Sequence, residues 1–255
     1  MSAKTIDAHI ESHVFGDIEV LRDIRFDVSH NEIVAVVGPS GCGKTTLLNL
    51  LSGALTPTRG HVAREGPTRT VYQQDGLLPW LTVADNINLG LRHISDSREK
   101  LAVLETALAM IGMETFRDHY PYQLSGGMRQ RAELARSLVS PAPILLMDEP
   151  FSALDYMTRV RMRQELARLL HDMPRTVVLV THDIEEAAQL ADRIVLLSRR
   201  PTTVLDQFTV RVARPRHVTQ PEVVATVARL LALLNLDSPS APDAADGRRI
   251  PLTAS

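Results

Sequence analysis

The sequence lacks the features that mark a membrane-spanning, disulfide-bonded or nucleic-acid-binding chain. Its one cysteine, Cys42, excludes an internal disulfide and a cysteine-based zinc cluster. The formal net charge of -2 gives no basic excess that would predict a nucleic-acid partner. No apolar run approaches the roughly 20 residues that a membrane-spanning helix needs, and the N-terminal segment has no apolar signal core. We therefore expect a cytoplasmic protein that depends on another chain for any work across a membrane.

What the sequence does contain is an alternation of strand and helix patterns. Residues 5–37 are rich in strand patterns and end in the buried-strand run EIVAVVG. Three further apolar runs, PILLMDEP, TVVLVTH and RIVLLS, each read as a buried strand. Helical patterns cover residues 44–51, 83–113, 156–171, 184–191 and 221–236, together with the stretch that follows Gly127. This alternation predicts an α/β fold with a parallel sheet covered by helices.

The segment GPSGCGKT, residues 38–45, fits the pattern G-x-x-x-x-G-K-[ST] and lies between a predicted strand and a predicted helix. Glycines let successive backbone N–H groups close around phosphate oxygens, and the helix dipole stabilises the anion. We predict that Lys44 reaches the β- and γ-phosphates and that the Thr45 hydroxyl coordinates Mg²⁺. Cys42 has no histidine or acid nearby in the sequence, which favours a small loop residue over a nucleophile.

Polar residues follow two of the predicted strands. ILLMDEP places Asp148 and Glu149 at a strand end, where ligands gather in open α/β sheets. Asp148 suits Mg²⁺, and Glu149 suits polarisation of a water aimed at the γ-phosphate. VLVTHD ends another strand at His182, which could approach the same phosphate. A strand-end histidine is more often a local hydrogen-bonding residue, and that alternative stays open.

A second glycine turn, LSGGM at residues 124–128, precedes another predicted helix and is called the signature turn below. It has a serine hydroxyl, flexible amides and a helix N-terminus, which are the ingredients of a phosphate site. No Lys-Thr pair follows it, so it resembles half of such a site.

The order GPSGCGKT, YQQD, LSGGM, ILLMDEP, SALD and THD resembles the ATP-binding subunit of ABC transporters over about residues 5–210. The resemblance implies a P-loop NTPase core with an N-terminal antiparallel β subdomain and an inserted helical subdomain at about residues 75–140. One ABC ATPase domain would span residues 1–237, and the polar tail at 238–255 is expected to be disordered. In this family the signature turn closes on ATP held by a second subunit, here expected to be a copy of this chain. Asn31 stands where the family usually has glycine, and asparagine tolerates a positive φ better than most residues.

The resemblance also implies roles for individual residues. Glu149 would be the catalytic base, His182 the switch histidine and Gln73 a catalytic glutamine, favoured over its neighbour Gln74 by the preceding aromatic residue. The expected Mg²⁺ ligands are Thr45, Gln73 and Asp148. The expected ATP contacts are Phe15, Gly38, Pro39, Ser40, Gly41, Cys42, Gly43, Lys44, Thr45, Thr46, Ser125, Gly126, Gly127 and Asp155. Phe15 would stack on adenine, whereas Phe26, on an alternating strand, is expected in the core.

The strings LLPWLTV, LLMDEPFSALD and LLSRRP resemble the nitrate, sulfonate and taurine branch of bacterial importers. That branch implies an ATP-hydrolysing motor on the cytoplasmic face of the inner membrane, with permease subunits and a substrate-binding protein as partners and no nucleic acid. The apolar cluster Leu77, Leu78, Trp80 and Leu81 lies where the family's permease inserts a short helix, although ordinary core is an equal alternative.

Two other functions remain open: a soluble ABC-type ATPase acting on nucleic acid or ribosomes, and a nucleotide switch with little turnover. The single ATPase unit and the absence of sustained heptads or cysteine pairs count against the first. The presence of both Glu149 and His182 counts against the second.

Overall fold

The computed structural model describes residues 4–72 and 76–234, which fold into nine strands and seven α-helices. The strands are β1 (Lys4–Phe15), β2 (Ile18–Ser29), β3 (Ile33–Val37), β4 (Arg59–Arg64), β5 (Thr68–Val71), β6 (Ile144–Asp148), β7 (Thr176–Thr181), β8 (Arg193–Leu197) and β9 (Val204–Thr209). The helices are α1 (Lys44–Ser52), α2 (Val83–Asn88), α3 (Ser97–Met110), α4 (Gly126–Leu138), α5 (Tyr156–Asp172), α6 (Ile184–Leu190) and α7 (Pro221–Leu233). None of these helices is long and apolar enough to cross a membrane.

The strands form two sheets. The smaller is antiparallel, in the order β2-β1-β4. The larger has the order β5-β6-β7-β3-β8-β9, in which the first five strands run parallel and β9 pairs antiparallel with β8. The α/β fold with an N-terminal antiparallel part, expected from the sequence, is confirmed.

Strand β3 separates the two apolar layers of the core. Its five residues are all buried, which is why the sequence there is continuously apolar rather than alternating. Ile33, Ala35 and Val37 face the layer that contains α5 and α6, whereas Val34 and Val36 face the layer that contains α1 and the antiparallel sheet. Because successive side chains of a strand point to opposite faces, this one strand anchors both layers. The loop that follows β3 is therefore held on both sides.

Helices α2, α3 and α4 lie between β5 and β6 in the chain and contact one another. Asp96 caps α3 by accepting a hydrogen bond from the Arg98 backbone N–H at 2.8 Å. The helical spacing of Leu101, Leu104 and Leu108 predicts one shared buried face; Leu104 and Leu108 are buried, but Leu101 is 53% exposed, so that prediction is wrong for Leu101. The boundaries of a helical subdomain at about 75–140 stay a prediction, and the tail at 238–255 lies outside the described residues.

The backbone before β3 confirms one detail of the sequence analysis. Asn31 has φ of 60°, in the left-handed region where glycine or asparagine is favoured. Its N–H donates to the Thr176 hydroxyl at 3.0 Å, which ties the turn to the start of the neighbouring strand β7.

Candidate functional site

Residues 38–46, called the phosphate loop below, connect β3 to α1. Gly41 and Gly43 have φ of 73° and 108°, a conformation that side chains with a Cβ rarely adopt. A Cβ at Gly43 would also come within 2.8 Å of Val20 Cγ1 on β2. The Lys44 side chain is buried and its Nζ donates to the backbone oxygens of Gly38 at 2.8 Å and Pro39 at 3.1 Å. The loop therefore wraps around the lysine ammonium.

A pocket of about 370 Å³ opens beside this loop. It brings together the loop and the residues that follow two neighbouring strands of the parallel sheet. Its lining consists of Ser40, Gly41, Gly43, Lys44, Thr45, Thr46, Glu149, His182 and Arg200. Pro39 and Cys42 line an adjoining groove instead, together with Arg199 and Arg200. The fold thus brings most of the predicted phosphate-loop contacts to one pocket, together with Glu149 and His182.

Two of the three predicted metal ligands touch each other at the floor of this region. The Thr45 hydroxyl donates to Asp148 Oδ2 at 2.7 Å. Burial raises the pKa of the Asp148 carboxyl, an effect opposed by the Thr45 hydrogen bond, reinforced by the charge of Glu149 and opposed by that of Lys44. The pair offers two hard oxygen donors, which is the donor chemistry that Mg²⁺ prefers. The third expected ligand, Gln73, lies outside the described residues.

Glu149 and His182 form a pair across the ends of β6 and β7. His182 Nδ1 lies 3.0 Å from Glu149 Oε1, with the histidine side chain 60% exposed and the glutamate 16% exposed. Glu149 has φ of 49°, unusual for a residue with a side chain, and its N–H donates to Val180 O at 2.9 Å. A strained backbone that the surroundings hold in place is typical of functional sites.

The signature turn lies apart from this pocket. Ser125 caps α4 by accepting a hydrogen bond from the Met128 N–H at 3.3 Å, and Asp155 caps α5 through the Thr158 N–H at 3.0 Å. Gly127 packs so closely that an added Cβ would lie 3.0 Å from the backbone oxygen of Ala153. Ser125, Gly126, Gly127 and Asp155 do not line the pocket around Lys44.

Gln130, which the sequence analysis missed, connects these two regions. Its buried side-chain amide donates to Glu149 O at 3.1 Å and to the Ser152 hydroxyl at 3.3 Å, and its Oε1 accepts from Ala153 N–H at 2.9 Å. One side chain on α4 thereby holds the backbone on both sides of the turn after Glu149. The only available signal was its position, one turn into the helix that the signature turn begins.

Phe15 and Cys42 complete the set of predicted contacts. Phe15 is 49% exposed at the end of β1, packs edge-to-face on His13 at 4.8 Å, and does not line the pocket. Phe26 is buried, as expected for a core residue. Cys42 is also buried, and burial raises the pKa of its thiol. A neutral buried thiol agrees with a small loop residue and not with an activated nucleophile.

The apolar cluster after Gln73 divides between core and surface. Leu77 is buried, Leu78 and Leu81 are half-buried, and Trp80 is 68% exposed. Asn86 on α2 fixes this segment, because its side chain accepts from Leu78 N–H at 2.8 Å and donates to Leu78 O and Leu81 O at 3.2 Å and 3.1 Å. Leu77 therefore belongs to the core, whereas the expected permease contact of exposed Trp80 stays a prediction.

A buried carboxyl lies behind the Glu149–His182 pair. Glu186 shares a small cavity with both residues and accepts a hydrogen bond from the Thr181 hydroxyl at 2.7 Å. Burial raises the pKa of Glu186 from 4.5 to about 8, with the Asp183 charge adding to the rise and the Thr181 hydrogen bond, Arg163 and Arg159 opposing it. The folded protein therefore holds a proton on Glu186 that the unfolded chain releases near its ordinary value.

Replacing Glu186 with glutamine is expected to reduce the pH dependence of stability. Between pH 4.5 and about 8 the folded state binds more protons at this site than the unfolded state, so its stabilising contribution falls as the pH rises. Glu186→Gln should remove that decline, so the melting temperature of the variant should gain on wild type as the pH rises through this window. Glu185→Gln, at a more exposed neighbour, is the control. A constant difference in melting temperature between Glu186→Gln and wild type across this pH range would contradict the raised pKa of Glu186.

The comparisons with known proteins agree with this geometry. Residues 21–152 match the family described as ABC transporter. The aliphatic sulfonates import ATP-binding protein SsuB 1 of Rhodococcus jostii is 44% identical over 233 residues, 89% of this chain and 92% of that protein. The taurine import ATP-binding protein TauB of Yersinia pestis bv. Antiqua is 42% identical over 200 residues, 74% of this chain and 78% of that protein.

Two solved structures of the ATP-binding cassette MJ0796 have the same fold. One, described as dimeric, is 32% identical with a TM-score of 0.73, and covers 82% of this chain and 100% of its own. The other, described as a dimeric post-hydrolysis state bound to ADP and Pi, is 30% identical with a TM-score of 0.72 and the same coverage. The chain therefore belongs to the ABC transporter family and is a nucleotide-binding ABC-type ATPase.

Proposed function

We propose that this ATPase drives the import of a small organic sulfonate, of the aliphatic sulfonate or taurine class, through separate membrane permease subunits. The carrying observation is that the phosphate loop, Glu149 and His182 line one pocket, with Asp148 hydrogen-bonded to Thr45 beside it, which equips the chain to hydrolyse ATP. The names and high coverage of the sulfonate and taurine relatives support the cargo class. No observation favours the alternative of an ABC-type ATPase that acts on nucleic acid or ribosomes.

The phosphate loop holds the nucleotide in this proposal. Backbone N–H groups of residues 38–46 surround the phosphate oxygens at the N-terminus of α1, and Lys44 exchanges its two carbonyl partners for the β- and γ-phosphates. Phe15 stacks on the adenine. The packing of Val20 and Leu21 against Gly43 supports this role, because it places the start of β2, and so the β1–β2 hairpin, beside the loop.

Thr45 and Asp148 would hold Mg²⁺, because their oxygens already lie in contact beside the phosphate loop. Gln73 is proposed as a further ligand. The ion would supply positive charge that neutralises the phosphate oxygens.

Glu149 acts as the base in hydrolysis. Its carboxylate lines the pocket and takes a proton from the water that attacks the γ-phosphate. His182 Nδ1 lies 3.0 Å from that carboxylate and the histidine lines the same pocket, which supports a role for it beside the γ-phosphate. Gln130 positions Glu149 by holding its backbone oxygen.

The signature turn serves the nucleotide of a second copy of the chain. The N-terminus of α4, with Ser125, Gly126 and Gly127, presents anion-binding groups away from the chain's own pocket. Asp155 lies at the start of α5, beyond the turn that Gln130 connects to α4. A head-to-tail dimer would bring each signature turn to the partner's phosphate loop, and the dimeric MJ0796 structures support this arrangement.

The subunit would sit at the cytoplasmic face of the inner membrane, bound to its permease. Trp80 offers an exposed apolar contact for that partner beside the segment that contains Gln73. A substrate-binding protein on the other side of the membrane would deliver the cargo.

Loss of the chain should abolish growth on the cargo as sole sulfur source. We expect a strain lacking it to fail on taurine or an alkanesulfonate and to grow normally on sulfate. Wild type supplied in trans should restore growth, whereas the Glu149→Gln variant should not. Normal growth of the deletion strain on every sulfonate would overturn the cargo class, and failure on nitrate as nitrogen source would reassign it.

A further inference from the structure

The loop between β8 and β9, residues 198–203, is fastened to the phosphate loop from outside. The Arg200 side chain donates from Nε to the backbone oxygen of Gly41, and the Thr202 hydroxyl donates to the backbone oxygen of Cys42. Leu197, at the end of β8, packs against Gly38, where an added Cβ would approach its Cβ at 3.1 Å. The LLSRRP string, so far only a mark of the importer branch, therefore lies against the phosphate loop.

This neighbouring loop is itself firmly anchored. Thr202 is fully buried, its N–H donates to Val20 O at 2.9 Å, and its oxygen accepts from Arg22 N–H at 2.9 Å. Ser198 Oγ accepts from Thr203 N–H at 2.9 Å, which closes the loop. Arg200 therefore projects from a fixed backbone position, while its own side chain remains exposed.

The Arg200 guanidinium has N–H groups that make no hydrogen bond to the residues that the structure describes. It lines the same pocket as Lys44, Ser40 and Glu149. Only its Nε is used in hydrogen bonds to described residues, and no carboxylate among them lies within ion-pair distance. The two terminal nitrogens of a guanidinium match the geometry of phosphate oxygens and can bind two of them at once.

We propose that Arg200 binds the terminal phosphates of ATP, as a second cation that lines the pocket beside Lys44 and reaches it from the β8–β9 loop. This inference rests on the proposed phosphate loop, and it adds a residue that discriminates ATP from nucleotides with fewer phosphates. Lys44 comes from the start of α1 and Arg200 from the β8–β9 loop, so two separate elements of the fold bring positive charge to one pocket.

The test is the binding of a non-hydrolysable ATP analogue, ADP and AMP to the purified chain. Arg200→Gln should lower the affinity for the ATP analogue about tenfold, which is the effect of losing one charge-assisted phosphate contact. It should lower the affinity for ADP less and leave the affinity for AMP unchanged. The melting temperature without nucleotide should also stay the same. Arg200→Lys should recover part of the loss, because it keeps the charge but not the bidentate geometry. Arg199→Gln, at the exposed neighbour, should bind all three like wild type.

Thr202→Val separates phosphate binding from bracing of the loop. It removes the hydrogen bond to Cys42 and keeps the arginine, so it should not reproduce the selective loss of the ATP analogue. The inference is overturned if Arg200→Gln binds like Arg199→Gln, if it weakens all three nucleotides equally, or if Thr202→Val shows the same selectivity. Unchanged nucleotide binding in Lys44→Ala would instead overturn the proposed phosphate loop itself.

Discussion

Replacing Glu149 with glutamine is expected to slow ATP hydrolysis by about 10² to 10⁴-fold, the usual contribution of a general base. Glutamine keeps the size of the side chain but cannot accept a proton from the attacking water. Because the substitution leaves the contacts of Lys44 and Thr45 in place, ATP affinity should stay close to wild type. Phosphate release and nucleotide binding, measured on the same preparation, check both parts.

The control is Glu222→Gln on α7, which makes the same chemical change outside the pocket. It should hydrolyse ATP at the wild-type rate. If Glu149→Gln turned over as fast as this control, Glu149 would not be the base.

Replacing Lys44 with alanine is expected to raise the dissociation constant for ATP by about 10² to 10³-fold. Truncating one member of a buried, hydrogen-bonded charge pair costs about 2–5 kcal/mol, and each 1.4 kcal/mol is about a tenfold change in affinity. The folded state should survive, because within residues 4–72 and 76–234 the Lys44 ammonium donates to two backbone oxygens of the phosphate loop and to no core side chain. Nucleotide titration and thermal unfolding measure the two effects separately.

Lys100→Ala on α3 provides the comparison, since this lysine lies outside the pocket and should leave ATP binding unchanged. Equal affinities for ATP in the Lys44 and Lys100 variants would remove Lys44 from the site.

The sequence predicts the parts of the site that depend on local rules. A strand, a glycine turn and a helix in succession define the phosphate loop. The common edge of a parallel sheet explains why Asp148, Glu149 and His182 meet there although His182 comes 33 positions after Glu149 in the sequence. Predicted helix bounds agree with α1, α5 and α6 to within one residue, and the last helix ends at Leu233 rather than near residue 236.

Features that depend on tertiary contacts could not be predicted. Gln130 and Arg200 are ordinary polar residues in the sequence, and their importance arises only when α4 meets the turn after Glu149 and the β8–β9 loop meets the phosphate loop. Leu101 follows the helical period of its buried neighbours but remains 53% exposed. The positive φ of Glu149 likewise belongs to a turn after β6 that the neighbouring strand β7 holds through the hydrogen bond from Glu149 N–H to Val180 O.

The central claim is that each ATP site is completed by the signature turn of a second copy of the chain. Its most direct test is the molecular mass of the Glu149→Gln protein in solution, measured with and without ATP. If each nucleotide is completed by the serine and glycines of another copy, trapped ATP should convert the monomer into a dimer. A second change, Ser125→Arg, should prevent this conversion while each monomer still binds ATP. A Glu149→Gln protein that stays monomeric with ATP bound, even beside its permease, or that dimerises equally well with Ser125→Arg, would contradict the account.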